Sequence, residues 1–366
     1  MSSISTFGGA IRAEERSALR QPGFTQTPGW LSSRRFDLIF VVATAGLGLV
    51  AGIATSFSPA LFGAILFADL WLLGYHHVIA TYTRLSFDSE SFARYKPLLT
   101  WLPLAVIAGV LAMTLGIGAW TLPTVYLYWQ WWHYTRQSYG VAQMYRLKTP
   151  QSKDNGWEMK AALYLLPLTG ILYRSYQDPG EFLNMELRVI PVPLVAVQIV
   201  GAAAAVSLAW WAGKQFRAWR AGELPLAYNL YMLSHVAVFG IGYLAISHID
   251  YGWLTINIWH NSQYILVVWL YNRNRFKTGV SADHRWLSTL SQSQNVKRYF
   301  GMTLLLTIGV YLGLNGVFIA LPATALPLAL IVYQTINFHH YIVDSVIWKV
   351  RKPQIRQNMG LEQLAA

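Results

Sequence analysis

Apolar residues in this chain run in long blocks separated by short polar turns. Ten blocks approach or exceed the roughly 20 residues that a helix needs to cross the hydrocarbon core of a bilayer. They are 36–57, 60–83, 98–116, 120–140, 159–175, 191–213, 225–246, 251–271, 298–319 and 326–348. The fifth is the shortest and contains Pro167 and Gly170. Blocks of this length predict helices, because in lipid each segment must satisfy its own backbone amides. The expected fold is all-α: a polytopic transmembrane helical bundle of about ten spans. Residues 1–35 and 349–366 flank it as polar arms, and 36–348 form a single transmembrane domain. No connecting loop is long enough for a soluble domain, so the chemistry is expected within or at the edge of the membrane.

Basic residues give the bundle a direction. Cytoplasmic loops collect Lys and Arg. Here they follow every second block: Arg84, Arg94 and Lys96; Arg146, Lys148 and Lys153; Lys214, Arg217 and Arg220; Arg273, Arg275, Lys277, Arg285, Lys297 and Arg298; and Lys349, Arg351, Lys352 and Arg356 in the tail. Of the 28 Lys and Arg residues only Arg174 and Arg188 fall on the other side, which an odd number of spans would not produce. Both termini are therefore expected in the cytoplasm, with a bacterial inner membrane as the expected location. The longest outer loop, 176–190, is largely acidic and polar (Asp178, Glu181, Glu186). Residues 1–35, with Arg12, Arg16, Arg20, Arg34 and Arg35, lack the early apolar stretch of a signal peptide.

Composition narrows the chemistry. Only 12% of residues are charged, against about 25% in soluble proteins, so much of the surface faces something other than water. The net charge of +12 would suit nucleic acid, but its cations sit in short clusters between apolar blocks, so no nucleic-acid partner is expected. There is no cysteine, which excludes disulfides, thiolate nucleophiles and thiolate metal sites.

Polar side chains inside a membrane helix are costly and mark interior faces or function. They concentrate on four blocks: Tyr75-His76-His77 through Arg84, Trp131-Trp132-His133 through Gly140, Asn257 through Tyr264, and Asn337-Phe338-His339-His340 through Asp344. All four are even-numbered and run the same way. His76, His77, His133, His339 and His340 lie about 7–10 residues before the inner end, roughly 10–15 Å into the bilayer at the helical rise, and His260 lies slightly deeper. Six histidines thus share one layer of the inner leaflet. Neutral imidazole is the natural ligand where thiolates are lacking. Asp344 follows His340 by one helical turn and shares its face. His133 shares a face with Gln137, His260 with Asn257 and Tyr264, and His77 with Thr81 and Arg84. Adjacent helical residues point about 100° apart, so each His-His pair serves two metals or supplies one ligand and one outer residue. One mononuclear site with about four His is the simpler arrangement; a two-metal site using six His and Asp344 is the other.

The expected metal ligands are therefore His76, His77, His133, His260, His339, His340 and Asp344. Tyr264 and Arg136 are the candidate catalytic side chains. Arg84 and Arg136 also suit anchoring at the inner interface, where either could hold an anionic headgroup or a carboxylate. A lone membrane histidine more often bonds between helices, the expectation for His235; His248 sits at the outer surface and His284 in an inner loop. Trp129 to Trp132 read as packing. Asp69 lies in the outer half of its block and is expected to pair with a polar group on a neighbour.

A histidine-lined metal in the bilayer suits activation of dioxygen beside an apolar substrate entering between helices. The expected cofactor is one or two non-haem iron atoms, or another transition metal. The expected partners are membrane lipids, a lipophilic substrate such as a carotenoid, isoprenoid, sterol-like or acyl lipid, and an electron-donor protein where the reaction needs one. The boxes H-x-x-x-H and H-x-x-H-H of membrane desaturases and hydroxylases do not occur. The motif order resembles the Brp/Blh family of membrane β-carotene dioxygenases, polytopic proteins with single histidines on separate helices around an iron that cleaves β-carotene to retinal. The His133 helix resembles their I-H-F-G-x-x-D helix, Trp259-His260-Asn261-Ser262 their penultimate motif, His340 with Asp344 their final P-H-x-x-x-x-D-like element, and His76-His77 stands for their first P-H-G. The P-H-G-A-x-D and R-x-H elements of that family have no counterpart here. The resemblance implies iron and a membrane oxygenase. Two rivals stand beside it: a haem- or (bacterio)chlorophyll-binding subunit with histidine axial ligands, and a transporter using the cluster as a proton or metal path.

Overall fold

A computed structural model describes residues 29–87, 89–149, 156–320 and 326–361. Arg12, Arg16, Arg20, Lys153 and the last five residues of the tail lie outside them. The structure is 81% helical. Each of the ten apolar blocks is helical: α1 (Arg34–Phe57), α2 (Leu61–Leu85), α3 (Ser89–Gly116), α4 (Thr121–Leu147), α5 (Trp157–Gln177), α6 (Leu194–Arg220), α7 (Leu226–Gly240, continued by a π turn Ile241–Ala245), α8 (Ile249–Arg275), α10 (Val296–Ala320) and α11 (Leu328–Ile347). Short helices α9 (Arg285–Leu290) and α12 (Pro353–Asn358) lie between and after them. Several helices outrun their apolar block: α4 continues to Leu147 and α8 to Arg275. Block ends mark where the apolar surroundings stop; the helix goes on into basic residues that suit its negative C-terminal end.

Five helices are long and apolar enough to cross a membrane: α1, α2, α3, α6 and the stretch Ser293–Ala320 that contains α10. They are also the peripheral ones. Only 17–44% of their apolar windows is buried, and Val50, Phe67, Trp101, Leu104, Val206 and Leu305 are exposed. The polar helices lie inside. α8 is buried at 22 of its 27 positions, Asn257, His260, Asn261, Gln263 and Asn272 among them. A helix this polar and this buried must find polar partners on its neighbours.

Close backbone approach seats α8. A Cβ on Gly48 or Gly52 of α1 would run into Thr255 of α8, so this small-x-x-x-small spacing lets the two backbones meet. Contacts in matching order make α2, α4, α8 and α11 run in one direction. Thr81, Tyr82 and Arg84 meet His340, His339 and Ile347. Trp129 and His133 meet Phe338 and Tyr341. Tyr264 and Tyr271 meet Asp344 and Trp348.

Three features depart from the sequence expectations. The 176–190 loop carries a two-stranded hairpin, Glu181–Phe182 with Met185–Glu186, turning through Leu183 and Asn184 at positive φ. Phe182 is fully buried against Tyr126 and Trp253, so this polar loop plugs one end of the bundle. The end of the N-terminal arm is packed, with Trp30 and Leu31 buried and the Leu31 and Ser32 amides donating to Asp37 at 2.9 and 3.1 Å. The tail is likewise docked, through buried Ile355, Met359 and Leu361.

Candidate metal centre

Four of the six histidines converge. His77 from α2, His133 from α4, His260 from α8 and His340 from α11 are all buried. The His77 ring lies 4.9 Å from His260 and 4.3 Å from His340, centroid to centroid. His133 lies 4.9 Å from His260 and 5.2 Å from His340. His77, His133, His340 and Asp344 each offer a ligand atom within 4.8 Å of the others. Donors on opposite sides of a transition metal sit about 4.2 Å apart, twice a metal–nitrogen bond, so a shift of a few tenths of an ångström brings this set to bonding distance.

The nitrogens are the telling feature. Nε2 of His77, His133, His260 and His340 is buried in each case and has no hydrogen-bond partner. One such orphan costs about 1–3 kcal/mol, and four on rings packed against one another point to a ligand shared by several of them. Asp344 Oδ2 faces the same point, 3.4 Å from His340 Nε2 and 3.8 Å from His133 Nε2, too far for a hydrogen bond. Imidazoles and a carboxylate without thiolate are donor types that first-row transition metals take.

Hydrogen bonding around the cluster fixes which nitrogen is bare. Trp348 Nε1–H is only a donor, and an ionised Asp344 only an acceptor. Tyr264 therefore accepts from Trp348 at 3.0 Å and donates to Asp344 Oδ1 at 2.6 Å. Thr81 Oγ1, 2.8 Å from the Tyr264 hydroxyl, must then donate to it, which leaves Thr81 to accept from His340 Nδ1–H at 3.1 Å. His340 is thus held in the tautomer whose Nε2 lone pair points at the centre. Gln137 Nε2 donates to the backbone carbonyl of His260 at 3.3 Å, tying α4 to α8 beside two of the rings.

His76 and His339 are turned away. His76 Nε2 lies 2.7 Å from Thr303 Oγ1, and His339 Nε2 donates to Leu98 O at 2.7 Å. Neither joins the cluster, so the six-histidine array does not assemble; among the described residues the ligand atoms close enough to share one ion are those of His77, His133, His340 and Asp344, with the His260 ring packed against them. A π turn at Leu70–Gly74 immediately precedes His76 and His77. Its extra residue rotates the following face by about 100°, which decides which of the two points inward.

Tyr264 orients Asp344, and it also lines a cavity beside His133. Arg136 lines the same cavity, with Nη1 donating to Tyr164 at 2.6 Å. Arg84 is not at a water interface. It is buried between Tyr271 and Trp348 and donates to Ile347 O at 2.9 Å. Asp69 is buried and receives Asn257 Nδ2 at 2.5 Å. Asn257 in turn accepts from Tyr134, whose ring packs 4.3 Å from His260. His235 bonds Ser138 at 2.8 Å, and His248 caps α8 by accepting from the Asp250 amide at 3.3 Å. The Tyr264–Thr81–Trp348 support went unread as a unit in the sequence; the shared faces of His77 with Thr81 and of His260 with Tyr264 were its visible signs.

Tyr264→Phe removes the bond to Asp344 while keeping the ring. Loss of such an outer partner lowers metal affinity about 10–100-fold. Titration of the protein with a competing chelator is expected to show that loss; unchanged affinity would mean that Asp344 is positioned without Tyr264.

Comparison with protein-family models, with characterised proteins and with solved structures finds no match to this chain.

Proposed function

We propose that the protein is an integral-membrane, histidine-ligated non-haem iron oxygenase acting on a lipophilic substrate. His77, His133, His340 and Asp344 would hold one iron, with His260 packed beside them. The observation that carries this reading is the meeting of ligand atoms from His77, His133, His340 and Asp344 within 4.8 Å of one another, with the buried His260 ring packed on them, beside a cavity. In this reading all ten long helices span the membrane with both termini cytoplasmic, since the polar ones are shielded by the five apolar ones around them. The metal layer then lies in the cytoplasmic half of the bilayer.

Bound iron would supply activation of dioxygen. The chain's own residues do the rest. Apolar helices around α8 keep bulk water from the cluster, Thr81 holds the His340 proton on Nδ1, and Tyr264 with Trp348 fixes the Asp344 carboxylate. His133 and Asp344 line the cavity, so a substrate lodged there meets the centre from that side. The motif order shared with the Brp/Blh dioxygenases points to the same reaction class. Four imidazoles with centroids about 5 Å apart leave no room among them for a tetrapyrrole, which speaks against the pigment reading at this point.

Elemental analysis of the purified protein is expected to return about one iron per chain, and its visible spectrum no Soret or Qy band. Protein free of transition metal would end the oxygenase reading, and a Soret band would replace it with a haem one.

A further inference from the structure

A cavity of about 930 Å³ lies between α4 and α11, near the upper end of the range for small-molecule sites. One part meets the metal cluster at His133, Asp344 and Tyr264. Beside it the wall is aromatic and aliphatic, from Trp129, Trp132, Tyr341 and Ile342. The cavity then follows α4 as far as Leu147. From Trp129 that is about 27 Å at the helical rise, which suits a long chain better than a compact molecule.

The other part is basic. Arg136, Lys349, Arg351 and Arg356 line it, and the sole carboxylate in the lining is Asp344, at the metal end. None of the four cations is ion-paired among the described residues. Lys352 stands in the same crowd: burial, then the charges of Lys349, Arg84, Arg94 and Arg351, hold its ammonium below the ordinary lysine range. A cavity with an apolar wall beside the histidine cluster and four cations that have no ion-pair partner among the described residues is complementary to a ligand built the same way. A carotenoid or a sterol would fill the apolar part and leave the cations unmatched.

We infer that the cavity binds an anionic amphiphile, its carboxylate or phosphate head among Arg136, Lys349, Arg351 and Arg356 and its apolar tail reaching toward His133 and Asp344. As a statement about substrate it rests on the oxygenase reading; as a statement about binding it does not.

The test is equilibrium binding of radiolabelled oleate to the full-length protein in nanodiscs of zwitterionic lipid, with metal content measured on the same sample. Saturable binding is expected, displaced by oleyl phosphate, about tenfold less well by oleyl alcohol, and not by millimolar inorganic phosphate. Arg351→Gln with Arg356→Gln is expected to weaken oleate about tenfold and to bring it level with the alcohol. Arg351→Lys with Arg356→Lys should restore the preference, which separates charge from folding. Equal competition by oleyl alcohol, displacement by inorganic phosphate alone, or an unaltered double Gln variant each overturns the inference, and does so without touching the metal reading if iron is present. Metal-free protein that keeps the preference for the anion upholds the binding site and removes the oxygenase.

Discussion

His340→Ala protein is expected to leave purification with its metal content reduced at least about tenfold, while His339→Ala protein keeps the parental amount. The two residues are neighbours, equally histidine and both buried, so helix content, hydropathy and crude packing change alike. What differs is direction. His340 Nε2 points without a partner at the cluster, whereas His339 Nε2 bonds Leu98 O on α3. Removing His340 deletes one donor of the set and also the group that holds the Thr81 hydroxyl. The same contrast is expected on α2 between His77→Ala and His76→Ala, since His76 bonds Thr303. Elemental analysis of the four variants beside the parent is the measurement. Equal loss from both members of a pair would show that the effect is folding and that the cluster is not the metal site. Equal retention would place the metal elsewhere.

Arg174→Met is expected to be the most damaging single change away from that centre. Arg174 is 1% exposed. Its guanidinium donates to Ser247 O at 2.6 Å, Gly242 O at 3.0 Å, Ile246 O and the Gln177 side chain at 2.7 Å. Those carbonyls are free because α7 ends in the π turn Ile241–Ala245 and then breaks before α8. Gly252 of α8 also packs directly on Gly242 there, so the seam cannot open locally to admit water. Methionine fills a similar volume and supplies no donor. Leaving these buried carbonyls without a donor costs about 1–3 kcal/mol each, enough together to remove much of a typical folding stability. Thermal unfolding in detergent should show a fall of many degrees, partly restored in Arg174→Lys. Arg188→Met is the control: its side chain is 57% exposed on Glu186, and its loss should shift stability by no more than about 0.5 kcal/mol. Similar behaviour of the two variants would mean that the seam carries little of the stability.

Arg174 also shows why the charge pattern was only partly legible. By position it was one of two cations on the wrong side of the bundle. By contacts it is a structural plug for broken backbone, which no count of basic residues separates from a loop charge. Arg84 is the converse case. It was counted toward the basic side and expected at an interface, yet it lies buried between Tyr271 and Trp348. Phe182 went unread for a similar reason: its short acidic loop has no periodicity to reveal that one ring turns inward.

The apolar blocks by themselves determined where the helices lie, because a segment surrounded by lipid or protein must close its own hydrogen bonds, and that requirement is local. The same is true of the helices that carry the clustered histidines and of the common level of those residues, which follow from counting residues along a helix of known rise. The sequence also dictated that the two histidines of an adjacent pair do not face the same ion, since neighbours on a helix diverge by about 100°. Which one faces inward was decided only by the tertiary structure. On α2 that choice depends on the π turn at Leu70–Gly74, and on α11 on Leu98 offering His339 an acceptor. The partner of Asp69, the tautomer of His340 and the grouping of cations around one cavity belong to the same class. Each depends on what a different helix presents at that height, and pairings between helices are non-local facts that a single chain's periodicity does not contain.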